Sequence, residues 1–113
     1  MATHDVFTLP PSPPLDRLPP EIRERTARYR FDLDNGRSFV VTLDRGRLAL
    51  DEGSGETDCI VKTPADLFPR LLSGEANLLT AFMRGDAAMT GDLDAAKRLY
   101  RFLRLAQSKE FHP

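Results

Sequence analysis

The chain has a single cysteine, Cys59, so it cannot close an internal disulfide or build a zinc site from several thiolates. That usage fits a reducing compartment, and the cytoplasm is the expected location. Its only histidines, His4 and His112, sit in the two tails. No motif pairs a nucleophile with a base, and no carboxylates stand at a spacing suited to acid–base work, so the expectation is a protein that is not an enzyme and needs no metal or cofactor. No apolar run approaches the ~20 residues that span a bilayer, and the first residues lack the charged-then-apolar order of a signal peptide. Charge of one sign is also lacking: 16 Lys and Arg stand against 17 Asp and Glu, a net charge of −1. No global field draws such a chain to nucleic acid, and membrane contact is expected to be transient at most.

What is present is enough for one core. With 113 residues, 41% of them hydrophobic, a single domain can bury about two-thirds of the surface that its unfolded chain exposes. Residues 1–20 hold six of the nine prolines, in P-P-S-P-P (10–14) and Pro19-Pro20, and read as an extended arm. Phe7, Leu9, Leu15 and Leu18 give that arm side chains able to dock. Pro20-Glu21 opens one helical turn through Arg25, with proline at the first helical position.

From Thr26 the period becomes two. Ala27, Tyr29, Phe31 and Leu33 alternate with Arg28, Arg30 and Asp32, and Phe39, Val41 and Leu43 again occupy odd positions. Parity sets the loop between these strands. A two-residue Asn35-Gly36 loop would put Phe31 opposite Val40, on the wrong face, whereas three residues, Asp34 to Gly36, put it opposite Phe39 with Gly36 left-handed. Leu48 and Leu50 are even, so the next loop must be Arg45-Gly46, setting Leu43 against Leu48. The acidic, glycine-rich stretch 51–57 matches no phosphate or calcium loop and reads as a solvated hairpin loop. A fourth strand follows to Thr63, with Cys59 a packed core thiol.

Thr63 and Pro64 then suggest a helix start, Thr63 as N-cap, with the stripe Leu67, Phe68, Leu71 and Leu72 ending at Gly74. Pro69 should bend or break it. Leu78, Leu79, Phe82 and Met83 make a second short helix that stops at Gly85. Ala87 and Met89 mark a fifth strand. Asp92 caps a last helix whose stripe is Leu93, Ala96, Leu99, Tyr100, Phe102, Leu103 and Ala106, and whose other face is basic: Lys97, Arg98, Arg101 and Arg104. A solvated face or an attraction for anionic headgroups would both use it.

The order of these segments, Thr57 to Val61, Thr63 to Gly74, Ala81 to Gly85, Asp86 to Thr90 and Gly91 to Leu103, resembles the sterol carrier protein 2 lipid-binding domain. The likeness runs from Thr26 to Leu105. It implies an α+β fold: a five-stranded mixed, mostly antiparallel sheet with helices packed on one face and an apolar tunnel between the layers. The long first helix of that family is missing or reduced here, so the domain would span 21–108 between the arm and a tail at 109–113. A partner protein, a homodimer or the arm would cover the open side. The peroxisomal targeting ending of some members is absent.

By this resemblance the chain is a non-catalytic lipid-binding or lipid-transfer module for a fatty acid, acyl-CoA, sterol-like or isoprenoid lipid. Phe31, Phe39, Val41 and Leu43 would line the sheet side of the tunnel. Leu67, Leu71, Phe82, Met83, Leu99 and Leu103 would line the helical side, with Met89 beside them and the methionines adapting to ligand shape. The alternative is that the same side chains pack a dry core, and that the protein is an interaction or assembly accessory in lipid or quinone metabolism.

Overall fold

The computed structural model describes residues 9–10 and 13–106. His4, Phe7, His112 and the tail at 109–113 lie outside the described residues. The period-two segments become strands β1 (Thr26–Leu33), β2 (Ser38–Asp44), β3 (Arg47–Glu52), β4 (Cys59–Thr63) and β5 (Ala88–Gly91). The helices are α1 (Pro20–Arg23), α2 (Leu67–Ser73), α3 (Leu78–Arg84) and α4 (Leu93–Ala106), with a 3-10 turn at Leu15–Arg17 before them. The sheet order is β3-β2-β1-β4-β5, so β1 is central. β1 and β4 are parallel and every other pair is antiparallel.

Parity sets the register as expected. Phe31 lies opposite Phe39, and the Leu33 N–H donates to Arg37 O at 2.9 Å, which leaves Asp34 to Gly36 as the loop, with Gly36 at φ 90. Leu43 lies opposite Leu48. The odd positions of β1 and β2 all point into the core, and β4 extends the rows through Tyr29–Cys59 and Phe31–Val61.

Four local expectations are corrected. The stretch after β3 is not a hairpin loop, because β4 pairs with β1 and the connection crosses two strands. A lone sequence shows where strands are but not which neighbour a parallel partner will take. Thr63 does not cap α2. It stays in β4 with its hydroxyl buried and without a hydrogen-bond partner among the described residues, and residues 64–66 form a turn in which the Ala65 N–H donates to Asp34 Oδ1 at 2.8 Å. α2 therefore starts at Leu67, which makes Pro69 its third residue. A first-turn N–H has no intrahelical partner to lose, so the helix continues to Ser73. Finally, Leu93 is not in the buried stripe of α4 but 64% exposed.

The short N-terminal elements pack onto the domain. Leu18 and Ile22 are fully buried in the core, Leu9 packs against it, and Glu21 pairs with Arg101 on α4. Asp92 caps α4 as its sequence suggests, accepting from the Asp94 and Ala95 N–H groups. Asn77 does the same for α3 through the Thr80 N–H.

Tyr29 ties the sheet to α4. Its ring is fully buried and its hydroxyl donates to Ala95 O at 2.5 Å. Burial raises the phenol pKa well above the usual tyrosine range, because the charged form would be desolvated. The unfolded chain releases this proton near pH ~10 while the folded chain holds it, so stability from this group is complete below that pH and falls as pH rises beyond it. Tyr29→Phe is expected to cost about 1 kcal/mol at neutral pH and to flatten the alkaline loss. Urea midpoints of both proteins across the neutral-to-alkaline range check this.

Candidate functional site

Buried side chains pack against one another between the sheet and the helices. Phe31, Phe39, Val41 and Leu43 from the sheet and Leu71, Leu99 and Leu103 from the helices are all buried in one cluster. The Phe68 ring lies 4.8 Å from that of Phe31 and 5.4 Å from that of Phe39, centroid to centroid, and packs the helical layer onto the sheet. Leu67, its neighbour in sequence, is only half-buried, and Met83 is 78% exposed.

The core row opens at the edge of the sheet. Phe39, Phe31, Val61 and Met89 lie side by side across β2, β1, β4 and β5. Met89, the last of them, is half-buried. Beside it α3 and α4 leave an apolar pocket of about 190 Å³, lined by Leu79, Phe82, Met89, Leu93, Ala96, Lys97 and Tyr100. Each side chain arrives there for a local reason. Leu79 and Phe82 stand one turn apart on α3, while Leu93, Ala96, Lys97 and Tyr100 share one side of α4 at helical spacing.

Of the eleven side chains expected at a lipid site, Phe82 and Met89 meet in this pocket. The other nine do not line it. Leu79, Leu93, Ala96, Lys97 and Tyr100, which are not among the eleven, line the pocket as well. Their signal was in the sequence, since Leu79 and Leu93 are large apolar residues on the polar flanks of their helices. Such surplus marks a place where the apolar stripe is wider than the core needs.

The polar groups at the pocket are few. Lys97 lies on its rim, and the Tyr100 hydroxyl accepts a hydrogen bond from Arg104 Nη1 at 2.9 Å. Cys59 starts β4, opposite Gly91 of β5. It is buried, its thiol donates to Asp92 O at 2.9 Å, and burial, helped by the Asp92 charge, raises its pKa, so it is a poor nucleophile. A second depression, about 470 Å³, has a mixed lining, with Leu33, Pro64 and Ala88 beside the charged Asp32, Asp34, Lys62 and Asp86. The Asp32 carboxylate there is already engaged. Partial burial raises its pKa, but bonds from Arg30 at 3.0 Å and Ser38 at 2.8 Å outweigh this and hold it below the usual value. Among the described residues no group of three or more His, Cys, Asp or Glu could hold a metal ion, and no helix is long and apolar enough to cross a membrane.

A mixed sheet with helices on one face and an apolar pocket at its edge defines a small lipid-binding type of α+β domain. The chain belongs to the SCP-2 sterol transfer family, whose model matches residues 15–104. No curated protein matches the sequence. Among solved structures, the fold is similar to that of sterol carrier protein 2 from Yarrowia lipolytica in its apo form, at 26% identity and a TM-score of 0.51, covering 73% of this chain and 70% of that one. It is also similar to palmitated SCP2L2 from Aedes aegypti, at 17% identity and a TM-score of 0.59, covering 79% and 83%. The inverting sec-alkylsulfatase Pisa1 from Pseudomonas sp. gives a TM-score of 0.62 at 21% identity, covering 86% of this chain. This chain spans 15% of that enzyme's length.

Proposed function

We propose that the chain is a non-catalytic lipid-binding module in which the pocket between α3, β5 and α4 takes the apolar part of a fatty acyl, sterol-like or isoprenoid lipid. The observation that carries this reading is the position of the pocket. This chain belongs to a family of sterol transfer, its sheet-facing side chains are packed in one core cluster, and an open pocket with an almost wholly apolar lining lies at the edge where Phe82 and Met89 meet. The pocket is smaller than the ~300 Å³ at the low end of sites that enclose a whole ligand, so it takes a chain end, with more of the ligand admitted if α3 shifts. Each buried methylene contributes about 0.8 kcal/mol, and about six of them give a gross gain of about 5 kcal/mol before ordering costs. Binding of that kind is loose in specificity. Lys97 and Tyr100 are the polar groups available to a ligand's head.

Native mass spectrometry of the purified protein, followed by displacement of a fluorescent fatty acid, tests the reading. Phe82→Asp, at a half-buried position, is expected to weaken binding at least tenfold while the circular dichroism spectrum stays that of the wild type. Unchanged affinity in that variant would remove the pocket from consideration. The packed core favours a second reading, an assembly accessory without a ligand of its own. A wild-type chain that carries no lipid and binds none would establish it.

A further inference from the structure

Four large apolar side chains stand exposed among the described residues, and three of them, Leu79 at 44%, Met83 at 78% and Leu93 at 64%, lie on α3 and the start of α4. Leu79 and Met83 are one turn apart on the same side of α3, and Leu79 and Leu93 share the rim of the pocket. Their neighbours on α4 are basic. This helix carries Lys97, Arg98, Arg101 and Arg104 against one carboxylate, Asp94, in a chain whose net charge is −1.

The acids near this face are few. Arg101 pairs with Glu21 from α1, and Arg84 lies 3.7 Å from Asp86. Lys97 and Arg98 form no ion pair among the described residues. Lys97 lines both the apolar pocket and a depression of about 290 Å³ in which Lys97, Arg25, Arg98 and Arg101 outnumber the two carboxylates, Glu21 and Asp94. Tyr100 lines the apolar pocket, and the Arg104 guanidinium lies 5.8 Å from the centre of its ring.

We propose that this side of α3 and α4 docks on an anionic lipid bilayer, with Leu79, Met83 and Leu93 entering the headgroup boundary and the basic side chains meeting lipid phosphates and carboxylates. Exposed apolar side chains beside a basic helix face are complementary to that surface, because a bilayer offers a negative layer directly above hydrocarbon. Protein partners of matching apolar area would leave Lys97 and Arg98 desolvated unless they brought carboxylates to each. Docking in this orientation sets the mouth of the pocket against the membrane, so a lipid passes between bilayer and pocket without crossing bulk water. The surface does not require that the pocket be loaded, so its test is separate from that of cargo binding.

The experiment is flotation of the full chain with vesicles of phosphatidylcholine alone or containing phosphatidylserine. Each basic side chain brought to an anionic surface changes partitioning about fivefold, so binding is expected with the anionic vesicles, at least tenfold less with the neutral ones, and release as salt is raised. Lys97→Glu should weaken binding tenfold or more, and Arg47→Glu on the exposed edge strand β3 should leave it unchanged. Met83→Asp should also weaken it while retaining fluorescent fatty acid in solution, since Met83 does not line the pocket. Equal flotation on both vesicle types, or wild-type flotation by Lys97→Glu and Met83→Asp, overturns the proposal. So does a solution dimer that Met83→Asp splits into monomers, which would give this face to a second copy.

Discussion

Replacing Phe68 with alanine is expected to lower the stability of the protein by about 3–5 kcal/mol and its Tm by more than ~12 °C. Phe68 is fully buried on α2, with its ring against Phe31 and Phe39. Removing it deletes a large transfer contribution and leaves a hole between two stiff sheet strands that cannot close over it. The control is one residue away. Leu67 is half-buried, and Leu67→Ala should cost about 1 kcal/mol or less, since much of its side chain already meets solvent. Urea unfolding of both variants, read as a change of midpoint at constant slope, makes the comparison. The result also bears on function. If Phe68→Ala costs less than about 1 kcal/mol, the space around it is already loose, and a tunnel through the interior regains its place as the ligand site. A loss in the expected range means that the interior is closed and that a lipid must use the edge pocket.

The sheet was largely legible in the sequence because period-two patterning and loop parity act together. Once Phe31 and Phe39 must share a face, a loop of three residues follows, and once Leu43 must meet Leu48, a loop of two follows. The helix-covered, five-stranded architecture came from the order of segments rather than from any one of them. What patterning does not contain is which strands become neighbours through a parallel pairing. The connection from β3 to β4 was therefore taken for a hairpin, although it crosses the sheet. Thr63 failed as a helix cap for a similar reason. The pull of β1 on β4 extends the strand through Thr63, and Asp34, thirty-one residues before Ala65, satisfies the backbone that Thr63 would have capped.

The candidate site was harder to read. Apolar residues for packing and apolar residues for a ligand are the same residue types, so Phe31, Val41 and Leu99 carried the same signal as Phe82 and Met89. What separates them is space, and space depends on the size of a neighbour. Phe68 packs against Phe31 and Phe39 of the sheet, whereas Ala96, on the stripe of α4, leaves room at the sheet's edge. The exposed Leu79 and Leu93 carried the more useful signal, because a helix that needs only one apolar stripe for its core gains no stability from apolar residues outside it.

The other large effect is expected at Gly91, where β5 hands over to α4. Its φ is +110, and a Cβ there would lie 2.4 Å from Asp58 O and 3.0 Å from the Cys59 Cα. Both are backbone atoms of the neighbouring strand and have no flexible end to swing away. The same backbone holds the next residue in place: the Asp92 N–H donates to Asp58 O at 3.0 Å, and Asp92 O accepts from the Cys59 thiol. Asp92 in turn caps α4. Gly91→Ala must therefore part β5 from β4 or tilt the start of α4, and its cost is expected to be about 3 kcal/mol or more, combining left-handed strain with the clash. Gly36→Ala isolates the strain alone. Gly36 has φ +90 but nothing within 4 Å of the added carbon, so a cost of about 1–2 kcal/mol is expected there. Because Met89 precedes Gly91 by two residues and Leu93 and Ala96 follow it, the variant should also lose fluorescent fatty acid binding and amide protection across β5, whereas Gly36→Ala should keep both. Equal costs at the two glycines would mean that the strand edge yields readily, and then the pocket beside it is not held open by the fold.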